Sequence, residues 1–143
     1  MLRSALLAAA CLLGVSAHAE TVKFTATMNA DTEVPAKAAP GAAGTATATL
    51  DTDTRKLDYD VSWNGLTGPA TMAHFHGPAA PGKNAGVQVK IGDASPTSPT
   101  SPTSGSATLT EDQVTQLMGG EWYANVHTAA NPGGEIRGQL TKQ

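Results

Sequence analysis

Strict alternation of apolar and polar residues over short segments constrains the fold of this chain more than any other feature. In the clearest segment, residues 57–63, the apolar set is Leu57, Tyr59, Val61 and Trp63. The segment from Val22 to Asn29 alternates in the same way. Successive side chains of a β-strand point to opposite faces of its sheet, so each segment is predicted to be a strand with one buried face.

Further segments of strand character complete the predicted sheet. They are residues 44–50, 70–76, 86–91, 105–109, 122–127 and 135–140. One helix is predicted after Thr110, its N-cap, with Gln113 as the capping-box partner and Gly119-Gly120 as the stop. Many short antiparallel strands with one brief helix predict an all-β fold, an antiparallel β-sandwich of Greek-key type.

The first nineteen residues predict a secretory signal peptide. Arg3 supplies a positive charge, an apolar stretch follows, and Ala17-His18-Ala19 is a small-x-small cleavage site. The apolar stretch is too short to span a bilayer, so no membrane anchor is expected. The mature domain is predicted to be residues 20–143, in the periplasm or secreted. A lipid-modified Cys11 is the alternative.

Composition excludes several classes of protein. Cys11 is the one cysteine of the chain, and the signal peptide contains it, so no disulfide and no cysteine-based metal site are expected after processing. The formal net charge is −3, and no run of lysine or arginine occurs. Nucleic acid is therefore not an expected partner.

A repeated Ser-Pro-Thr sequence occupies residues 95–104. Proline at every third position removes backbone hydrogen-bond donors, and the segment offers no apolar side chain to anchor it to a core. We predict a flexible loop inserted between two strands.

Three histidines outside the signal segment indicate a metal site. His74 and His76 are two residues apart in a predicted strand, which places both rings on one face. His127, in a second predicted strand, would supply a third nitrogen ligand. Three imidazoles suit Cu(II) or Zn(II), and the Irving–Williams order favours copper. Met72 shares the face of His74 and is a candidate weak ligand.

The same alternation predicts which face of the sheet carries the site. Ala73 and Phe75 form the apolar set beside the first histidine pair, and Val126 belongs to the apolar set beside His127. Apolar sets normally face the core, so the histidines are expected on the outer face, accessible to solvent. The alternative is that these are ordinary surface histidines without a metal.

The chain resembles the CHRD domain, a family named for repeats in the extracellular protein chordin. The resemblance rests on His-Phe-His-Gly-Pro-Ala at residues 74–79 and on the segment 122–140, and it runs from about Val22 to Leu140. It implies an all-β sandwich, of the immunoglobulin-like and superoxide-dismutase-like architecture, in an exported protein. The characteristic histidines of the family fall on His74, His76 and His127.

The closing motif of that segment, Asn-Pro-Gly-Gly-Glu-Ile-Arg-Gly at residues 131–138, predicts a turn followed by a strand. Glu135 and Arg137 would share one strand face. A surface ion pair is the simpler prediction, and substrate binding is the alternative. Glu135 is also a candidate for orienting a histidine ligand.

The residues predict a binding protein more than an enzyme, because no catalytic nucleophile or carboxylate pair can be identified. We expect an exported protein that binds copper, or zinc, through His74, His76 and His127. A copper redox enzyme acting on small oxidants is one alternative. A metal-free extracellular module that binds a protein partner, or a second copy of itself, is the other.

Overall fold

A computed structural model describes residues 20–92 and 99–143. The predicted signal peptide, residues 1–19, lies outside the described residues, and so do residues 95–98 of the Ser-Pro-Thr repeat. In the described part of the chain, no helix combines the length and the apolar character needed to cross a lipid bilayer.

The described residues form nine strands and one helix. The strands are β1 Thr21–Asn29, β2 Ala43–Asp51, β3 Lys56–Asn64, β4 Ala70–His76, β5 Val87–Lys90, β6 Thr103–Thr108, β7 Tyr123–Thr128, β8 Ile136–Gln139 and β9 Thr141–Lys142. The helix, α1, is Glu111–Met118 and lies between β6 and β7. Each segment predicted as a strand overlaps one of these strands, so the all-β prediction is confirmed.

The strands join into one antiparallel sheet that bends back on itself. Its order is β5-β4-β7-β8-β1-β2-β3-β6, and β9 also pairs with β1. Neighbours such as β4 with β7 and β3 with β6 are not consecutive in the chain, as expected for Greek-key connections. The two halves face each other, since Tyr59 of β3 meets Phe75 of β4 edge to face with ring centroids 5.4 Å apart.

The core lies between the halves and follows from the alternation in the sequence. Along β1, Val22, Phe24, Ala26 and Met28 are buried while their neighbours are half-buried or exposed. The opposite half contributes Phe75, Trp122 and Val126, each fully buried. Removing a side chain of this size from water stabilises the fold by about 1.5–3 kcal/mol.

The helix begins and ends as its sequence predicts. The Thr110 side chain accepts from the Gln113 backbone, and the Gln113 side chain accepts from the Thr110 backbone, which completes a capping box. Leu117 is fully buried, and Val114 and Met118 pack against the core. The helix therefore closes one side of the core between β6 and β7.

The last part of the Ser-Pro-Thr segment is docked on the sheet. Strand β6 begins at Thr103, two residues before the predicted start, and Thr103 pairs with Val61. The hydroxyl of Ser101 accepts from the Trp63 amide and donates to the Trp63 carbonyl, both at 2.8 Å. A small polar side chain can thus anchor a segment that has no apolar residue. Hydrophobic patterning does not detect an anchor of this kind.

Candidate metal centre

The pairing of β4 with β7 brings the three histidines to one face of the sheet. Met72 lies opposite His127, and His74 lies opposite Asn125. Directly opposed residues of an antiparallel pair project to the same face. His76 follows two residues after His74 and shares that face.

The three rings converge. One nitrogen from each of His74, His76 and His127 lies within 4.8 Å of the others. Nδ1 of His74 is 3.2 Å from Nε2 of His127. The His74 ring centroid is 5.4 Å from that of His76 and 5.2 Å from that of His127. Three imidazole nitrogens at this spacing could share one metal ion after small side-chain adjustments.

Backbone carbonyls set the tautomer of two of the rings. Nδ1 of His76 lies 3.1 Å from the Ala85 carbonyl oxygen, and Nδ1 of His127 lies 3.0 Å from the Pro132 carbonyl oxygen. A carbonyl only accepts, so both Nδ1 atoms must carry a hydrogen. The lone pair of each ring is then on Nε2, where a metal ion would bind.

The Nε2 atom of His76 is buried and has no hydrogen-bond partner among the described residues. A buried acceptor without a partner is unusual, because its lost hydration costs about 1–3 kcal/mol. The position suits a cation, which would bind to the free lone pair.

The prediction of an accessible site is wrong. His74, His76 and His127 are only 8%, 9% and 6% exposed. They project from the non-core face, as the alternation indicates, but two connections cover that face. The β4–β5 connection supplies the Ala85 carbonyl, and the β7–β8 connection supplies the Pro132 carbonyl. Loops that fold back over a sheet leave no trace in strand periodicity.

Burial favours the neutral form of His74 and His76. Burial, followed by the charges of His127, His76 and Lys90, lowers the pKa of His74 to about 4. Burial also lowers the pKa of His76, although its hydrogen bond to Ala85 opposes the shift. Both rings are neutral near pH 7, the state that binds a metal.

Met72 lies on the same face but outside the buried cluster. It is opposite His127 in the ladder, and it remains 45% exposed. Its role as a weak fourth ligand stays a prediction.

A family model, CHRD domain, matches residues 24–140 of the chain. The match covers most of the sequence and includes all three histidines. The chain belongs to the CHRD domain family. Searches of curated proteins and of solved structures give no significant match.

The Glu135 carboxylate of this CHRD domain does not form the predicted surface ion pair. It is fully buried and accepts from the Thr67 amide and hydroxyl, both at 2.6 Å, from the Thr128 hydroxyl and from Asn131 Nδ2 at 2.9 Å. Burial acts to raise its pKa, but these hydrogen bonds outweigh burial and lower the pKa overall. None of these bonds goes to a histidine, so the alternative role in orienting a ligand is also not observed.

Arg137 is likewise buried, at 2% exposure. Its guanidinium donates to Asn84 Oδ1 at 2.8 Å and to the Lys83 carbonyl. The guanidinium carbon lies 3.4 Å from the centroid of the Tyr123 ring. The predicted surface pair fails because the β4–β5 connection covers this face and supplies neutral acceptors.

Sequence reasoning missed Tyr123, which supports a histidine ring, and the buried polar residue Asn125 beside the site. Tyr123 stacks on His76 with centroids 4.9 Å apart and planes 7° apart. Asn125 donates to the buried Glu33 carboxylate and to the Ile136 carbonyl. Tyr123 and Asn125 occupy the same alternating set as His127, and that shared spacing was the available signal. Ala85 and Pro132 contribute through their backbone carbonyls. Every residue has a backbone carbonyl, so the residue type gives no signal of this role.

Proposed function

We propose that this CHRD domain is an exported copper-binding protein that holds the ion through His74, His76 and His127 and serves copper handling. The observation that carries the proposal is the buried Nε2 of His76, which has no hydrogen-bond partner within residues 20–92 and 99–143 and lies beside two further imidazoles. A set of three imidazole nitrogens suits Cu(II) and Zn(II), and the Irving–Williams order favours copper. Export is proposed from the pattern of residues 1–19 and from the extracellular setting typical of the family.

The surroundings favour handling of the metal over turnover. The rings are covered by two connections and are less than a tenth exposed, which leaves little room for a substrate to reach a bound ion. A site that holds its ligands in fixed tautomers under cover is suited to retaining an ion. A copper redox enzyme acting on small oxidants is the rival that an assay with superoxide and peroxide would reveal.

A metal-free interaction module is the second candidate. Met72 and Val87 are large apolar side chains that remain 45% and 49% exposed on the neighbouring strands β4 and β5. Val87 pairs with His76, four residues along β4 from Met72, so the two are separate exposed apolar side chains. Each could contribute to a contact with a protein partner. This candidate predicts binding to a protein partner, or to a second copy, that does not change when the histidines are replaced.

Cu(II) titration of chelator-treated protein, residues 20–143, tests the proposal by calorimetry and electron paramagnetic resonance. We expect one equivalent to bind with a nitrogen-rich type-2 signal, because no thiolate is present to give a blue site. Competition with Zn(II) should show which ion binds more tightly.

The variants His74→Ala, His76→Ala and His127→Ala should each weaken binding strongly. Val87→Ala is the matched control, since Val87 is exposed on the adjacent strand and carries no donor atom. Met72→Leu tests whether Met72 is a ligand: the variant should bind Cu(II) more weakly if Met72 is a weak fourth ligand, and with unchanged affinity if it is not. Retention of parental Cu(II) affinity by the triple histidine variant would refute the assignment.

A further inference from the structure

Arg137 is a buried cation that has no acidic partner in the part of the chain that the structure describes. Among the described residues, no carboxylate oxygen lies within 4.0 Å of its guanidinium nitrogens. Its bonds go to Asn84 Oδ1 and to the Lys83 carbonyl, both in the β4–β5 connection. A buried arginine is normally paired with a carboxylate. Its position therefore calls for an explanation beyond a structural ion pair.

Arg137 contacts the histidine cluster through the aromatic ring of Tyr123. Strands β4 and β8 flank β7, so the Tyr123 ring lies between His76 on one side and Arg137 on the other. The guanidinium sits 3.4 Å from the ring centroid, and the His76 ring stacks on the opposite face at 4.9 Å. A cation over a desolvated tyrosine ring is attracted to the negative face of the ring. The stack fixes the plane of His76.

Arg137 also acts on His76 through the backbone of the β4–β5 connection. Arg137 holds Lys83 and Asn84, and the next residue is Ala85. The Ala85 amide donates to the Tyr123 hydroxyl at 3.1 Å, and the Ala85 carbonyl accepts from His76 Nδ1. The acceptor that keeps the hydrogen on Nδ1 is thus held by Arg137 and Tyr123 together.

We propose that Arg137 is a positioning residue for His76: it fixes both the plane of the ring and the tautomer that leaves Nε2 free. The inference rests on the proposed metal-binding function, because a free Nε2 is useful only to a ligand. Arginine is required, since a lysine cannot bridge two acceptors in a planar fork and stack on a ring at the same time.

Nitrogen-15 NMR of the histidines in metal-free protein tests this without any metal. In the parent, His76 should be a single Nδ1–H tautomer. In Arg137→Lys and in Asn84→Ala, the ring should show a mixture of both tautomers, because the Ala85 carbonyl is no longer held. Asn84→Asp keeps the acceptor for Arg137 and should restore the parental spectrum. Asn84 is exposed, so its variants remain informative if Arg137→Lys fails to fold.

Cu(II) affinity supplies the second readout. Loss of a group that orients a ligand weakens metal binding by about 10–100-fold, and we expect this for Arg137→Lys and about tenfold for Asn84→Ala. Arg55→Lys is the control, since Arg55 lies at the β2–β3 turn and contacts Glu111. It should leave both readouts unchanged.

Two results separate the proposals. If the parent binds no Cu(II), the proposed function fails, and the NMR comparison still decides whether Arg137 positions His76. If Asn84→Ala and a folded Arg137→Lys both retain a single Nδ1–H tautomer of His76 and parental affinity, the positioning role is overturned while the metal site stands.

Discussion

The two nitrogens of His76 meet very different surroundings. Nδ1 donates to a carbonyl, whereas Nε2 is buried without a partner among the described residues. The unpartnered atom destabilises the metal-free fold by about 1–3 kcal/mol. A ring kept only for packing would gain nothing from this arrangement, whereas a bound cation would remove the unfavourable term.

His76→Phe tests that balance. Phenylalanine keeps the stack on Tyr123 and removes the unpartnered nitrogen, so the metal-free variant should unfold within about 1 kcal/mol of the parent. Its melting temperature should no longer respond to Cu(II). Thermal unfolding with and without one equivalent of copper measures both. A full copper-induced shift in the variant would contradict the role given to His76.

The buried rings should make metal-free stability depend on pH. The pKa of His74 is lowered to about 4 from 6.5, so the unfolded chain binds a proton more readily than the folded one. The free energy of unfolding should be highest above about pH 6.5 and fall as the pH decreases toward 4. His76, whose pKa is also lowered, acts in the same direction.

Urea unfolding in chelator between pH 4 and 8 measures the effect. The pKa shift of His74 corresponds to a loss on the order of 3 kcal/mol at most. The variant His74→Gln, which cannot titrate, should show a shallower pH dependence. An equal slope in both proteins would contradict the assignment to His74.

At the scale of elements, the β7–β8 connection is fastened by one carboxylate. Glu135 joins Thr128, the last residue of β7, and Asn131 of this connection to Thr67, in the segment between β3 and β4. The turn that places the Pro132 carbonyl against His127 closes through the Gly134 amide, which donates to the Asn131 carbonyl at 3.0 Å. Gly134 has φ of 124°, and a Cβ there would collide with Asn125 and Glu33. The closing motif of the family thus shapes the cover of the histidines.

Glu135→Gln should destabilise the fold by about 2–4 kcal/mol. The amide nitrogen would face donors that now point at a carboxylate oxygen, and the charge that strengthens these bonds would be lost. Chemical denaturation measures the change. Glu121→Gln, at an exposed position, is the control and should remain within about 0.5 kcal/mol of the parent. Equal stabilities for the two variants would contradict the described network.

Ser101→Ala examines the docked end of the Ser-Pro-Thr segment. The variant loses two hydrogen bonds to the Trp63 backbone at the start of β6. At about 0.5–1.5 kcal/mol for each bond, we expect a loss near 1–2 kcal/mol in urea unfolding. Ser106→Ala is the comparison within β6. If Ser101→Ala is as stable as the parent, the segment is not anchored through this side chain.

At the scale of the whole molecule, the sequence predicted the features that follow from the regular spacing of residues along strands and helices. The alternation along β1 and β3, the capped helix and the shared face of His74 and His76 all follow from spacing and local chemistry. The cover over the histidines, the burial of Glu135 and Arg137 and the docking of Ser101 do not. They depend on loops and turns that meet distant strands through single polar side chains and backbone carbonyls, and the periodicity of a strand does not encode such contacts.

The order of the sheet also determines how this molecule meets other copies of itself during folding. The edge strands are β5 and β6, and unpaired edges can recruit strands from another chain and start aggregation. Here β5 is only four residues long, and β6 carries serine, threonine and glycine with Pro102 just before it. The Tyr59 hydroxyl donates to the Lys90 carbonyl at 3.2 Å and so occupies an edge acceptor. Because the edge strands are short and polar, and part of their backbone is already hydrogen-bonded, they offer few groups with which a strand of another chain could pair.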